Sequence, residues 1–384
     1  MFKQFRKFIE ANNLLDAKQY GYRAGHSTQL AMINLLDDVK EKLDKKCVTI
    51  LLLVDFSRAF DSVQHDLLLA ILRSLNCSGH VVDWFCSYLN NRVQKIKTAS
   101  GNFSDWQNIM VGVPQGSTLS ALLFVLYINH ISVSIKNCKY ILYADDLQMY
   151  ISCPVSEINS AVGKLNSDLK LLQEWGQDHG LMINVEKCKA ILLGYDKLLA
   201  NVAEENVQQV RLGASVIPYE SNVKSLGLYI SKNLSWGKQA VDVSNKTFRT
   251  LYQLRKLPFN PSIREKANLI SALVFPFFDY ALPAFCDISA EYLCKLQVAQ
   301  NSCMRYIYSL HRYDHVTPYF RDLKWLKISE RLKYLTVTSA KKILLSKQPA
   351  LMYSKYVRVG SNRTAEPRSN QLQVPTHRTA IYDT

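Results

Sequence analysis

The hydrophobic positions along this chain change period several times, and each change marks out an element. Residues 48–56 (VTILLLVDF) are β-branched and leucine-rich with no polar face, the pattern of a central strand covered on both sides. The 46 residues before them read as helical, ending in the charged stretch 37–46 (DDVKEKLDKK). A helix follows at 64–75, with Leu67, Leu68, Ile71, Leu72 and Leu75 on one side, and another at 81–90. Residues 93–111 alternate about Ser100-Gly101-Asn102 and predict a hairpin. A turn punctuated by Gly and Pro, 112–117, opens an apolar helix over 118–131. Next come two strand-like runs in KYILYADDLQMYIS, 139–152, separated by two aspartates.

Beyond that hairpin, spacing at i, i+3 and i+4 predicts a helix over 156–175. Gly180 and Asn184 bracket a turn before a strand at 187–194, and 198–209 is a polar loop. Strand-like segments near 210–217 and 223–230 lead to Trp236. From 238 to about 348 the pattern is helical, with Pro258, Pro261, Pro276, Pro283 and Pro318 as punctuation. The tail from about 359 has no periodicity and reads as disordered. No internal repeat is present.

Composition narrows the class. A chain of 384 residues, 48% hydrophobic and 11% aromatic, has material for two or three packed domains and is not a mainly disordered protein. Nine cysteines are scattered with no Cys-x-x-Cys pair, which argues against a disulfide scaffold or zinc ribbon and fits reduced thiols inside a cell. His311 and His315, four apart with no Cys pair ahead of them, read as a surface helix pair rather than a zinc site. The most membrane-like run, 269–286, carries Asp279 and is interrupted by Pro276 and Pro283. It reads as a buried core helix, and the chain as soluble, with no secretory signal.

Charge is unevenly placed. Residues 1–236 hold 24 Lys and Arg against 22 Asp and Glu, whereas 237–384 hold 23 against 10. Nearly all of the +15 excess therefore lies in the C-terminal part, where a basic face suits a polyanion such as a nucleic-acid backbone.

Three aspartates stand out by context. Asp55 closes a hydrophobic strand, where an uncompensated charge is costly. Asp145 and Asp146 sit at the tip of an apolar hairpin. Adjacent carboxylates repel, so holding them beside a third makes sense where a divalent cation is shared. Such a site serves phosphoryl or nucleotidyl transfer, with two ions roughly 3.5–4 Å apart. The Gly/Pro turn 111–120 (VGVPQGSTLS) sets Pro114, Gln115 and Gly116 ahead of a helix start, whose backbone N–H groups suit phosphate or ribose. Each feature alone also fits ordinary turn chemistry. Their conjunction is what points to a site.

Taken in order, these segments resemble the reverse transcriptases of non-LTR (LINE-like, jockey-type) retrotransposons. VDFSRAFDSV (54–63), GVPQGSTLS (112–120) and YADD (143–146) are similar to that family's three catalytic motifs. GLMINVEKCKAILLG (180–194) resembles its Lys-bearing motif, VKSLGLYISKNLSW (223–236) its primer-grip hairpin, and QYGYRAGHST (19–28) a fingers motif. The resemblance implies that Asp55, Asp145 and Asp146 are catalytic carboxylates holding two Mg²⁺, with Mn²⁺ as an alternative. It implies that Lys187 protonates or neutralises the pyrophosphate leaving group. Phe56, Phe60, Gln115 and Gly116 then belong to the nucleotide site, Phe60 as an aromatic gate against the ribose 2′-OH and Gln115 on the sugar. There are departures: Ala121 stands where the family usually has proline, and the family's Arg-Pro-Ile fingers motif, endonuclease domain and Cys/His knuckle have no counterpart. The expectation is a fragment with palm, thumb and part of the fingers.

The fold so implied is α+β: a right-hand polymerase palm with an antiparallel sheet and partial fingers, followed by an all-helical thumb. The expected boundaries are 1–46 for partial fingers, 47–236 for the palm with remaining fingers elements, 237–350 for a basic thumb and 351–384 for a disordered tail. The implied partners are an RNA template, a DNA primer, their duplex and deoxynucleoside triphosphates, with no membrane and no zinc, in the nucleus or cytoplasm. The competing expectation is an inactive retroelement fragment that only binds nucleic acid.

Overall fold

The computed structural model of the protein describes residues 1–202 and 207–356. Its helices begin with α1 (Phe2–Ala11) and α2 (Thr28–Asp44), ahead of strand β1 (Val48–Val54). Helices α3 (His65–Ser74) and α4 (Gly79–Leu89) precede a minimal hairpin, β2 (Val93–Gln94) and β3 (Gln107–Asn108). Helix α5 (Thr118–Tyr127) leads to β4 (Lys139–Tyr143) and β5 (Asp146–Cys153), and α6 (Ile158–Asp178) to β6 (Lys189–Leu193). After the short α7 (Asp196–Leu199) come β7 (Val210–Leu212), β8 (Ser215–Ile217), β9 (Asn222–Ser225) and β10 (Leu228–Ser231). The remainder is helical: α8 (Gly237–Arg255), α9 (Ile263–Leu273), α10 (Phe275–Asp279), α11 (Ala290–Tyr308), α12 (Thr317–Asp322), α13 (Ile328–Ser346) and α14 (Ala350–Tyr353). The α+β class expected from the sequence is thus what the chain adopts.

A four-stranded sheet in the order β4-β5-β1-β6 carries the aspartates, with β4 and β5 antiparallel. Strand β1 is buried at six of its seven positions, as its unbroken apolar run requires. The chain divides into two compact units. The first comprises residues 1–26, 50–190 and 204–219. Here α5 is apolar all round and seven of its ten residues are buried, whereas α6 is amphipathic and turns Ala161, Val162, Leu165, Leu169 and Leu172 inward. One buried charge on α6 is fully answered. Asp168 accepts hydrogen bonds from Asn137 N, Asn137 Nδ2 and Cys138 N at 2.7–2.8 Å, which pins the entry to β4.

The second unit comprises 27–49, 191–203 and 220–384. Helix α2 belongs to it through polar ties. Lys40 Nζ meets Asp287 Oδ2 at 2.9 Å, and Trp236 Nε1 donates to Asp287 Oδ1 at 2.7 Å. Gln29 Nε2 donates to Ser339 Oγ at 3.0 Å, and Lys355 pairs with Asp37 and Asp38. The core of this unit includes the fully buried Trp236, Phe278 and Phe285.

Several expected boundaries move. The N-terminal stretch is not helical throughout, because 12–27 is turn and extended chain. The run 269–286 is not one helix: it breaks at Val274–Pro276, and again where Ala281 takes φ 54° ahead of Pro283. Among the described residues no helix is long and apolar enough to cross a membrane. His311 and His315 lie in the turn between α11 and α12, not on a helix. The tail expected to be disordered from 351 begins inside α14, and its residues 357–384 lie outside those described.

Candidate active site

Asp55 follows the last residue of β1 and is bound into a short antiparallel contact with the 182–184 segment. Ser57 N donates to Met182 O and Asn184 N to Asp55 O, both at 2.8 Å, and Phe56 bridges Ile183. One carboxylate oxygen of Asp55, Oδ1, is shut off from solvent and accepts no hydrogen bond. Lys187 Nζ stands 3.9 Å from it, on a side chain 68% exposed. That lysine sits in the turn before β6 rather than on the strand, which starts two residues later than the sequence pattern suggests.

The second and third aspartates are placed by a two-residue hairpin. Tyr143 pairs with Asp146, so the turn itself is Ala144-Asp145, and Asp146 is the first residue of β5. Ala144 takes φ 55°, a conformation that costs a residue with a Cβ and persists only when the surroundings impose it. The surroundings are residues 18–21. Leu142 N donates to Lys18 O at 3.0 Å and Tyr20 N to Leu142 O at 2.8 Å, so the segment runs beside β4 like an extra strand. Gln19, 1% exposed, then accepts at its Oε1 from Gly21 N (2.7 Å) and Ala144 N (3.1 Å). Gly21 is required there, since a Cβ would lie 2.5 Å from Ala144 N.

The Gly/Pro turn is laced to the segment after Asp55. Gly112 N donates to Val63 O at 2.7 Å and Val113 N to Phe60 O at 2.9 Å. Gly112 takes φ 91°, and a Cβ on it would press within 2.9 Å of Asp61 O. Gln115 Nε2 donates to Asp61 Oδ1 at 2.8 Å, which orients the amide. The half-buried Phe60 ring stacks on Phe124, centroids 4.3 Å apart.

These pieces border a cleft of about 550 Å³, lined among others by Phe60, Gln115, Gly116, Tyr143, Arg23 and His26. Phe60, Gln115 and Gly116 are therefore brought together as the sequence suggests. Phe56 is not: it is 5% exposed and packs in the core without lining the cleft. None of the aspartates lines it either, and Tyr143, the residue before the turn, is its approach to them. Arg23 donates from Nη1 to Asp16 O at 2.9 Å, and burial lowers both its pKa and that of His26.

The carboxylates feel one another. Partial desolvation raises the Asp145 pKa, and the charge of Asp55 adds to it. Asp146 keeps an exposed edge, yet desolvation in the packed hairpin, with the charges of Asp145 and then Asp55, pushes its carboxyl to about 6. Carboxylates that raise one another's pKa, and an Asp55 Oδ1 that accepts no hydrogen bond and has the Lys187 ammonium 3.9 Å away, fit a shared cation. Among the described residues, though, no three His, Cys, Asp or Glu side chains are already gathered into one ligand set. The aspartates share a neighbourhood, and coordination has still to draw them in.

Gln19 and Arg23 fall in the 19–28 motif and Asp61 in the 54–63 motif, but the sequence assigns none of them a role, and Arg6, which also lines the cleft, goes unmarked there. A signal for the first was available: Gly21 and Gly25 interrupt the stretch read as helical, and Gly25 takes φ 71°.

Comparison with known proteins gives the same reading. The sequence profile described as "Reverse transcriptase (RNA-dependent DNA polymerase)" matches residues 1–230. The chain is 25% identical over 333 residues to the probable RNA-directed DNA polymerase from transposon BS of Drosophila melanogaster, covering 83% of this chain and 35% of that protein. It is 25% identical over 331 residues to the RNA-directed DNA polymerase from mobile element jockey of the same species, covering 82% and 34%. It thus spans about a third of the length of these relatives. A solved apo telomerase from Candida tropicalis is 12% identical with a TM-score of 0.49, over 92% of this chain and 60% of that one, a likeness too slight to carry an argument. With the profile covering well over half of its residues, the chain belongs to the reverse transcriptase (RNA-dependent DNA polymerase) family.

Proposed function

We propose that this chain carries the polymerase activity of a jockey-type non-LTR retrotransposon, extending a DNA primer on an RNA template. What supports the reading is the family membership, with Asp55 at a strand end and Asp145-Asp146 at a hairpin turn close enough to feel its charge, in a unit whose cleft is lined by Phe60, Gln115 and Gly116. Enzymes of this family use divalent metal ions. Asp55, Asp145 and Asp146 are the residues that would hold them, two Mg²⁺ or Mn²⁺. When bound, such ions stabilise the attacking and leaving oxygens of an in-line displacement.

The rest falls to side chains of the chain itself. Gln115, its amide fixed by Asp61, hydrogen-bonds the sugar of the incoming nucleotide. The Phe60 face, backed by Phe124, blocks the 2′-hydroxyl of a ribonucleotide. Gly116, with φ 82° and nothing within 4 Å of a Cβ position, leaves its backbone open to a phosphate or ribose. Lys187 has an exposed ammonium 3.9 Å from Asp55 and neutralises the departing pyrophosphate. Residues 237–350 serve as a basic thumb on the RNA–DNA duplex, and 47–236 as the palm.

The test is primer extension on an RNA template with Mg²⁺ and four deoxynucleotides. Asp145→Asn should lower the rate on the order of 10³-fold or more, as loss of a metal ligand does, while duplex binding survives. Equal rates would overturn the assignment. No extension by the wild type, with duplex binding intact, would favour a binding-only protein.

A further inference from the structure

The helical unit holds a second charged recess, opposite in sign to the aspartate site. It is a cleft of about 620 Å³ bounded by the end of α8, the loop 256–262, the first turn of α9 and the end of α11. Arg255, Lys266, Arg305, Ser309, Tyr306 and Phe259 are on its walls, and no carboxylate is.

The cations in it are poorly answered. Lys266 is 8% exposed, yet its ammonium reaches only Ser309 Oγ at 3.5 Å and the Tyr306 ring at 5.6 Å. Arg305 Nε is shut off from solvent with no partner, and Arg305 Nη2 reaches the Asp314 carbonyl only at 3.5 Å. The nearby carboxylates are already engaged: Glu265 accepts from Ser262 N and Oγ, and Asp314 from His311 N. Among the described residues no ion pair neutralises Arg255, Lys266 or Arg305. Arg255 is exposed and Arg305 half-buried, but Lys266 is a buried ammonium without counter-charge, which is costly, and an anion beside it recovers that cost.

The chemistry of the donors selects the anion. A guanidinium fork, an ammonium and a hydroxyl suit the several oxygens of a phosphate. The rim selects its carrier. Phe259 is 63% exposed on a loop stiffened by Pro258 and Pro261, all three of them lining the cleft. An exposed aromatic beside a phosphate recess is the arrangement on which an unpaired base stacks. We propose that this cleft is a single-stranded nucleic-acid site, with a backbone phosphate held by Lys266 and Arg305 and the neighbouring base on Phe259. The proposal takes from the functional reading only that the chain handles polynucleotides.

Binding of a fluorescent 12-nucleotide RNA strand to the whole chain, followed by anisotropy with neither primer nor deoxynucleotides, tests it. Arg305→Gln and Phe259→Ala should each weaken binding about 10-fold. Arg305→Gln should also flatten the slope of log affinity against log salt by about 0.7. A blunt duplex offers no unpaired base, so Phe259→Ala should leave its affinity unchanged. Lys164→Gln, an equal loss of charge on the exposed side of α6, should change affinity less than 2-fold for either ligand. The idea is overturned if Lys164→Gln weakens the strand as much as Arg305→Gln, which would mean diffuse charge. It is overturned equally if Phe259→Ala binds the strand as wild type does, or if inorganic phosphate competes at the same phosphate concentration, which would mean a small-anion recess. Melting curves confirm that each variant is folded. Because no catalysis is read, a failure of primer extension would not be mistaken for a failure here.

Discussion

The aspartate site and the basic cleft both contain a buried polar atom that makes no hydrogen bond, Asp55 Oδ1 in one and Arg305 Nε in the other. They are built in different ways. At the aspartates the backbone does the holding: Gln19 clamps the Ala144 turn, Asn184 N caps Asp55 O, and Gly112 packs against Asp61. In the basic cleft, long flexible side chains from α8, α9 and α11 converge, with weak hydrogen bonds at 3.5 Å among them. A reacting centre needs its groups fixed to fractions of an ångström, and main-chain hydrogen bonds can do that. A site that grips a strand passing through can leave its cations loose. The consequence is that the first site should fail through backbone substitutions that hardly alter charge, and the second through charge.

The largest effect is expected at Gly21. In Gly21→Ala the new methyl would lie 2.5 Å from Ala144 N, a backbone atom that cannot swing aside, and 3.0 Å from Gln19 Oε1. The turn must shift, at about 1–3 kcal/mol for the overpacking, and Asp145 moves with it. Primer extension should fall at least as far as in Asp145→Asn, while the affinity for a single RNA strand stays within 2-fold of wild type. A variant with normal extension would show that the close approach of the 18–21 segment does not set the turn.

Next in size is Gln19→Leu, which keeps bulk but leaves Gly21 N and Ala144 N without their acceptor. Each buried, unsatisfied N–H costs about 1–3 kcal/mol. Extension should drop 10- to 100-fold, measured as kcat/KM. This position also shows where reading the sequence stopped. The aspartates and the Gly/Pro turn were legible because each lies within a few residues of a strong local signal: an apolar strand end, a hairpin, a helix start. The long helices after 237 were legible through their 3.6-residue period. Gln19 showed only as part of the 19–28 motif with its interrupting glycines, and its role stayed hidden because its partner is 125 residues away. The basic cleft was illegible for the same reason, as only the excess of charge showed and not which cations the fold leaves unanswered. Phe56 differs in the other direction: the resemblance put it in the nucleotide site, but beside Asp55 at a strand end its side chain turns inward and is 5% exposed.

A smaller effect, with a distinctive sign, is expected for Asp146→Asn. Asp146 titrates near 6 in the folded chain against an ordinary value of 3.8. A carboxyl whose pKa is raised by folding binds more protons folded than unfolded between those values, so its contribution to stability falls as pH rises through that window. Without added divalent ions, Asp146→Asn should therefore melt higher than wild type at pH 7.5, and the gap should close below about pH 4. Mn²⁺ should raise the wild-type melting point far more than the variant's, reversing the order, because binding to the folded state alone stabilises it. If the variant melts lower at pH 7.5 in chelator, the carboxylates are not straining against one another and the case for a shared cation weakens.

The smallest effect is the counterpart of Gly21. Gly163 lies on the exposed side of α6, and a Cβ there would meet nothing within 4 Å. Glycine inside a helix costs about 0.8–1 kcal/mol against alanine, largely through the freedom it gives the unfolded chain. Gly163→Ala should therefore raise the melting point by about 2–4 °C, with extension unchanged. The same chemical change thus has opposite signs at two glycines of one unit, one packed on the turn that bears Asp145 and one facing solvent. Were both substitutions to destabilise equally, the loss at Gly21 would be a general cost of added bulk, and the claim that backbone packing sets the aspartate site would lose its sharpest support.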